Sequence, residues 1–350
     1  MAAITGKETL VGIKMATTYG TAVAVDKLIA CDSFSQSRNV EKLMRSPLGL
    51  NKLFDTNITQ GRATPSISGT TKIGFQNNVE YLIAQFFGKS TTPAEQTAGQ
   101  SDYLTRLTFN TVAPILNAKY LTVAMKDTST TTLEFPAVAI DTLTITIVPN
   151  NYISMDFNGL ANDRELGSST NTTAVLNALS APTENEIVVR ESDEFLINAQ
   201  AGGALTTVTD RKVIEQAVIT LTKPQESIPL IKGSSGNGEP TSTGNYTCTL
   251  TVTYNTLEDH TWLTAAEAGT EYKAGFVFEG TQIGTGANQG FRLYFPRLQI
   301  VDDPEYTATT PGNNKHIVTY TAMQATANPT GMDDKNPYIE YTNGISTAYI

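Results

Sequence analysis

Residues 246–254 read Tyr246-Thr247-Cys248-Thr249-Leu250-Thr251-Val252-Thr253-Tyr254, an unbroken alternation of larger apolar side chains with threonine. A period of two places one set of side chains on a core and the other on the opposite face of a strand. Ile67, Gly69, Thr71, Ile73 and Phe75 repeat the pattern, with Thr70, Lys72 and Gly74 between them. Further strands are expected at Leu121–Met125, Leu143–Val148, Tyr152–Phe157, Tyr272–Phe278, Phe291–Phe295 and His316–Tyr320. Gly280–Gly290 between two of them reads as a hairpin connection. Helical spacing is sparse. Val79, Leu82, Ile83 and Phe86 predict one short helix, with Asn77 and Asn78 as caps and Gly88 as its stop. Thr256–Ala268, ahead of Gly269, predicts a second.

Each expected helix follows one of the two alternating strands, which suggests an internal repeat. Leu133-Glu134-Phe135-Pro136-Ala137-Val138-Ala139-Ile140 aligns without gaps on Leu293-Tyr294-Phe295-Pro296-Arg297-Leu298-Gln299-Ile300. Asp26-Lys27-Leu28-Ile29 before Ser33-Phe34-Ser35 resembles Lys212-Val213-Ile214 before Val218-Ile219-Thr220, and Ile153–Asn162 resembles Ile317–Asn328. Similarities in one order predict two copies of one unit. The expected division is an N-terminal arm at 1–20, unit A at 21–165, a linker at 166–190, unit B at 191–329 and a C-terminal arm at 330–350. Leu166–Thr183, rich in Ser, Thr and Asn, reads as linker. Each unit holds a long polar loop after its first strand, Arg38–Pro65 and Lys223–Asn245, and the first is too apolar to lie in water. Arg38, Glu41, Lys42, Leu43, Arg45, Leu50, Lys52, Phe54, Pro229, Leu230, Ile231 and Lys232 on these loops are the candidate contacts between subunits or rings.

The chain has 350 residues, 40% hydrophobic and 17% charged, and about one residue in seven is Thr. That length suits about two domains. No apolar run reaches the roughly 18 residues of a membrane helix, and the first ten residues lack a secretory pattern. With 2 Cys and 2 His, neither a disulfide framework nor a zinc site is expected, and Cys31 and Cys248 read as buried thiols. The expected protein is soluble and made in a reducing compartment. Its net charge of -10 opposes a grip on phosphates.

Catalytic patterns fail on inspection. Gly88-Lys89-Ser90 resembles the end of a phosphate loop, but Ile83 occupies the required Gly position and the segment ends a helix. His260 and His316 have no nucleophile motif beside them. Asp302-Asp303-Pro304-Glu305 and Asp333-Asp334 lack the spacing of a calcium loop. No enzyme, cofactor or metal is expected.

The sequence resembles the tail tube proteins, the major tail proteins of long-tailed bacteriophages. The resemblance runs through Gly20-Thr21-Ala22-Val23 leading to Ser33-Phe34-Ser35, the strand into the helix at Asn78–Gly88, the Phe-Pro segments and the closing strand Ile153–Phe157. It implies a mainly β fold of two tandem tail-tube-like β-sandwich or barrel units, each with one short helix, closing into a ring with neighbouring subunits. A usual tube unit has half this length and six copies per ring, so two units in tandem imply trimeric, pseudo-hexameric rings. With four strands from each unit, about 24 strands make a circumference of about 115 Å and a backbone bore near 37 Å, more with tilt. The resemblance further implies stacked rings whose acidic lumen passes double-stranded DNA without binding it. Tape-measure, tail terminator and baseplate or tip proteins are the implied partners, with both arms reaching to neighbours. The location implied is the virion tail, assembled in the host cytoplasm, with no membrane. Other classes compatible with the composition are a virion decoration or fibre β-sandwich and a carbohydrate-binding β-sandwich. The last needs exposed aromatics, whereas the single Trp, Trp262, lies on an expected helix.

Overall fold

The structure is a computed structural model that describes residues 6–44, 58–110, 119–227, 237–255, 260–302, 304–307 and 314–350. Its first half holds β1 (Val11–Ala16), β2 (Lys27–Ile29), β3 (Cys31–Met44), β4 (Ile58–Lys72), α1 (Glu80–Phe87), β5 (Gly88–Ser90), β6 (Ala94–Glu95), β7 (Tyr103–Phe109), β8 (Tyr120–Lys126), β9 (Thr132–Ile147) and β10 (Ser154–Ala161). Two short elements follow, β11 (Glu165–Leu166) and α2 (Thr173–Ala178). The second half holds β12 (Glu194–Ala199), β13 (Arg211–Lys212), β14 (Gln216–Thr222), β15 (Gln225–Ser227), β16 (Pro240–Ser242), β17 (Thr247–Tyr254) and α3 (Thr261–Glu267). It ends with β18 (Glu271–Gln282), β19 (Asn288–Ile300), β20 (Glu305–Thr307), β21 (Lys315–Ala322) and β22 (Tyr338–Asn343). The protein is mainly β, and every strand pairing is antiparallel.

In the first half the strand partners run β2-β1-β8-β9-β10-β4-β3. In the second they run β13-β12-β18-β19-β21-β17-β14, the same path step for step. The registers tie both paths to the repeated octets. Ile140, which ends the first octet, faces Gly159, then Ile67, then Gln36 on successive strands. Ile300, which ends the second, faces Tyr320, then Leu250, then Ile219. Gly159 therefore answers to Tyr320, three residues from the alignment of Ile153 on Ile317. The slip is odd, so the alignment of Ile153 on Ile317 set a core-facing residue against one on the opposite face.

α1 and α3 form where spacing puts them. α1 buries Leu82, Ile83 and Phe86 and ends on Gly88 at φ 78°, a conformation that suits a residue without a Cβ. α3 is shorter than expected, stopping before Gly269 at φ 62°, and residues 256–259 of the expected helix lie outside the described segments. Trp262 stacks on Tyr254 at 5.1 Å and packs against the core, so the one Trp is no exposed platform. One continuous apolar cluster runs through both halves, from Ile13 and Phe135 to Ile219 and Phe276.

Three expectations are corrected by the pairing. The described parts of the terminal arms do not extend away from the chain: β1 pairs with β2 and β8, and β22 lies between β7 and β19. All six β22 residues are buried, and Arg106 of β7 holds Glu340 at 2.6 Å and Asp333 at 2.7 Å. The segment Leu166–Thr183 is not a bare linker. It contains α2, whose Leu176 packs with Val25, Leu28 and Ala124, and Asn171, which accepts a hydrogen bond from the Val25 amide at 2.7 Å. Buried Glu134 accepts from Ser168 at 2.6 Å and from Asn171. Finally, the loop Arg38–Pro65 is strand along most of its length, because β3 and β4 continue as a hairpin out to Met44 and Ile58.

Candidate assembly edges

A single antiparallel sheet crosses the chain in the order β3-β4-β10-β9-β14-β17-β21-β20. The two halves meet within it at β9 and β14, in register from Ala217 opposite Ile147 to Thr222 opposite Thr142. The Lys223 amide extends the junction to the Asp141 carbonyl at 2.7 Å. On the core side Ile145, Ile147, Ala217, Ile219 and Leu221 are all buried. Burying the Ile and Leu side chains is worth about 1.5–3 kcal/mol each, so this junction is part of the core and no mere contact between surfaces.

The other face of the sheet is polar. One row across the strands reads Ser33, Thr70, Asp156, Thr144, Thr220, Thr249 and Thr321. A second reads Lys72, Ser154, Thr146, Val218, Thr251 and Thr319. Hydroxyls couple neighbouring strands along these rows: Thr70 donates to Asp156 at 2.5 Å, and Thr251 and Thr319 lie 3.2 Å apart. Among the described residues the charges near this face include Asp32, Asp156, Glu215 and Glu305 against Lys72 and Lys315, with Glu215 and Lys315 ion-paired at 2.5 Å. Asp32 and Lys72 are ion-paired at 3.1 Å. The net charge of the chain is therefore not concentrated here, and the face is mainly a hydroxyl surface.

Both ends of the sheet are open among the described residues. Among the described residues β3 pairs only with β4, and β20 only with β21. Over Cys31–Ser37 the edge strand carries no Lys or Pro, the residues that usually guard an edge. Its Ser33, Ser35 and Ser37 are exposed, and Phe34 and Gln36 are only half-buried. At the opposite end Val301, between β19 and β20, is 55% exposed.

Of the candidate contact residues, Arg38, Glu41, Lys42 and Leu43 lie on β3, with Glu41 at a bulge between Val40 and Lys42. Glu41, Lys42 and Leu43 are exposed, and Arg38 pairs with Asp163 at 3.6 Å. Arg45, Leu50, Lys52, Phe54, Pro229, Leu230, Ile231 and Lys232 lie outside the described residues. The second expected loop is also a hairpin at its base, with β15 on β16. Arg62 of the first hairpin reaches the second, donating to Asn237 at 3.0 Å and to the Ser227 carbonyl. The two hairpins thus leave the sheet at one end, side by side. Sequence reasoning missed the edge itself, Asp32–Ser37.

The remaining polar motifs are occupied by structural roles. Lys89 and Ser90 form a strand after a helix, not the loop before one. Asp333 is tied to Arg106, and Asp334 accepts from the Asn336 amide at 2.8 Å. No group of three or more His, Cys, Asp or Glu side chains gathers among the described residues. No helix among them is long and apolar enough to cross a membrane. Cys248 is buried and Cys31 half-buried, and desolvation pushes each thiol up to about 12. Since the thiolate is the reacting species, neither Cys is expected to react with a thiol reagent at pH 7.5 in the native chain, while two equivalents should react after denaturation. Rapid native labelling would show that the fold leaves one accessible. No protein-family model and no curated protein matches the chain.

Proposed function

We propose that the chain is a non-enzymatic tube subunit of a bacteriophage tail, three copies of which close edge to edge into a ring that stacks and conducts double-stranded DNA. The observation that carries this reading is the eight-strand sheet with an internal junction and two ends that are unpaired among the described residues. Unpaired backbone donors and acceptors along an unguarded edge favour pairing with another strand. Closure into a barrel satisfies all of them at once. The duplicated pairing path supports reading each chain as two tandem tube units, so three chains supply about 24 strands.

The stagger supports the same geometry. A row entering at Ser33 reaches Thr220, whose counterpart in the first half is Ser37, four residues further along. Four residues of rise against four strand spacings correspond to a tilt of about 35°, within the range of closed barrels. About 24 strands at that tilt give a backbone diameter of about 45 Å. Inward side chains narrow this, and the hydroxyl rows still leave room for a duplex. Hydroxyls with few charges offer phosphates little to hold by ion pairing, which suits passage over binding. Tape-measure, terminator and tip proteins remain the partners that this assembly would need, and the virion tail its place.

Electron micrographs of the purified protein should show hollow tubes; spikes or globules would instead favour a decoration or fibre protein. Replacing Ser35 and Ser37 by Lys should leave a folded monomer that no longer assembles, because edge lysines oppose strand addition. Sedimentation velocity with circular dichroism reads both properties, and tubes formed by this variant would remove β3 from the interface.

A further inference from the structure

The junction inside the chain specifies the register of the junction between chains. We infer that β3 of one copy adds to β20 of the next with Ser35 opposite Thr307, Gln36 opposite Tyr306 and Ser37 opposite Glu305. This rests on the self-assembly reading above and fixes what that reading leaves open, namely which residues meet and in which alignment.

The derivation uses only pairings within one chain. Gln36 and Ile219 occupy the same place in the two halves, since each lies across from its octet's last isoleucine by way of two intervening strands. Gly159 answers to Tyr320 by the same rows, which makes Met155 the counterpart of His316. Met155 faces Ile145 and His316 faces Tyr306, so Ile145 and Tyr306 are also counterparts. Within the chain Ile219 faces Ile145. Repeating that step at the open ends places Gln36 of one copy against Tyr306 of the next.

The two edges suit each other physically. β14 is covered on both sides and its inward side chains Ala217, Ile219 and Leu221 are buried. β3 presents Phe34, Gln36 and Arg38 at the corresponding positions, half-buried or exposed, as expected of a strand that lacks its second neighbour. Phe34 already touches the core through Phe157, with ring centres 6.5 Å apart, so its backbone is held in place for an incoming strand. On the polar face Ser37 is exposed and Glu305 is exposed, and both directly opposite positions fall on that face. The strand that adds must be antiparallel, because β9 and β14 are. A one-residue slip would turn the apolar side of β3 toward the hydroxyl face, which the alternation opposes.

The test is a cysteine pair across the new junction. In a full-length Cys31→Ser background, the double variant Ser37→Cys/Glu305→Cys is assembled, treated with mild oxidant or a short bis-maleimide, and run on a denaturing gel without reductant. Cross-linking should convert most of the chain to dimer and trimer, whereas each single variant stays monomeric. Ser33→Cys/Glu305→Cys, four residues out of register, should not link, because its Cα atoms lie beyond the span of a disulfide. Rings or tubes seen by microscopy with no Ser37–Glu305 link, or equal linking of the displaced pair, overturn the register while sparing the ring. A ladder continuing past trimer supports the register and removes the closed ring of three. A chain that stays monomeric at high concentration and does not link overturns both.

Discussion

Ile219→Ala should destabilise the chain by about 2–5 kcal/mol, while Gln36→Ala should cost the unassembled chain about 1 kcal/mol, the worth of one hydrogen bond. The two residues are counterparts in the repeated path and differ in cover, and Gln36 also accepts a hydrogen bond from Arg164 Nη1 at 2.8 Å. Ile219 is fully buried between β17 and β9, and its truncation removes apolar contact and leaves a void on both sides. Gln36 has a strand on one side only. Urea unfolding of both variants below the assembly concentration reads the difference as a shift in midpoint. In assembled protein the contrast should narrow, because Gln36 then acquires its second neighbour. Equal costs in the dispersed chain would mean that β3 is already covered.

The second large effect is a pH dependence centred on Glu80. This residue opens α1 yet is completely buried, and neither carboxyl oxygen meets a hydrogen-bond partner at good geometry among the described residues. Burial pushes its pKa up to about 7, against the pull of nearby backbone amides at its own position, Asn77 and Asn78 and of Lys27. A carboxyl that binds its proton more tightly in the fold than in the unfolded chain stabilises the fold fully below its unfolded value. That contribution is lost as pH rises through the folded value. Between about pH 4.5 and 7 the loss is on the order of 3 kcal/mol. Glu80→Gln cannot ionise, so relative to it the native chain should weaken steadily over that window and run parallel above it. Thermal midpoints of both chains at several pH values test the difference. Parallel curves throughout would mean that Glu80 is solvated or paired in the fold.

Much of the fold was legible where one face of a strand is buried and the other is not. β17 and the inner half of β4 announce themselves by alternation, and the Phe-Pro octets mark β9 and β19. The rest fails for physical reasons. Ser37-Arg38-Asn39-Val40-Glu41-Lys42 has little buried face, so nothing in its pattern separates strand from loop. β22 is buried on both faces, and its central Glu340 argues against burial until Arg106 is known to lie beside it. α2 buries one residue, Leu176, and has no stripe to read. The open edge was illegible in principle. Whether a strand is covered depends on its neighbours, and Ser33-Phe34-Ser35 looks much like Val218-Ile219-Thr220 until the pairing order separates them.

The placement of β22 has a consequence for how the chain is made. Its residues leave the ribosome after those of β7 and β19, the strands that it joins. The β9–β14 junction can form before then, but a translation product broken off before Tyr338 lacks the strand that joins β7 to β19. Closing the gap between β7 and β19 is thus the last pairing that synthesis permits.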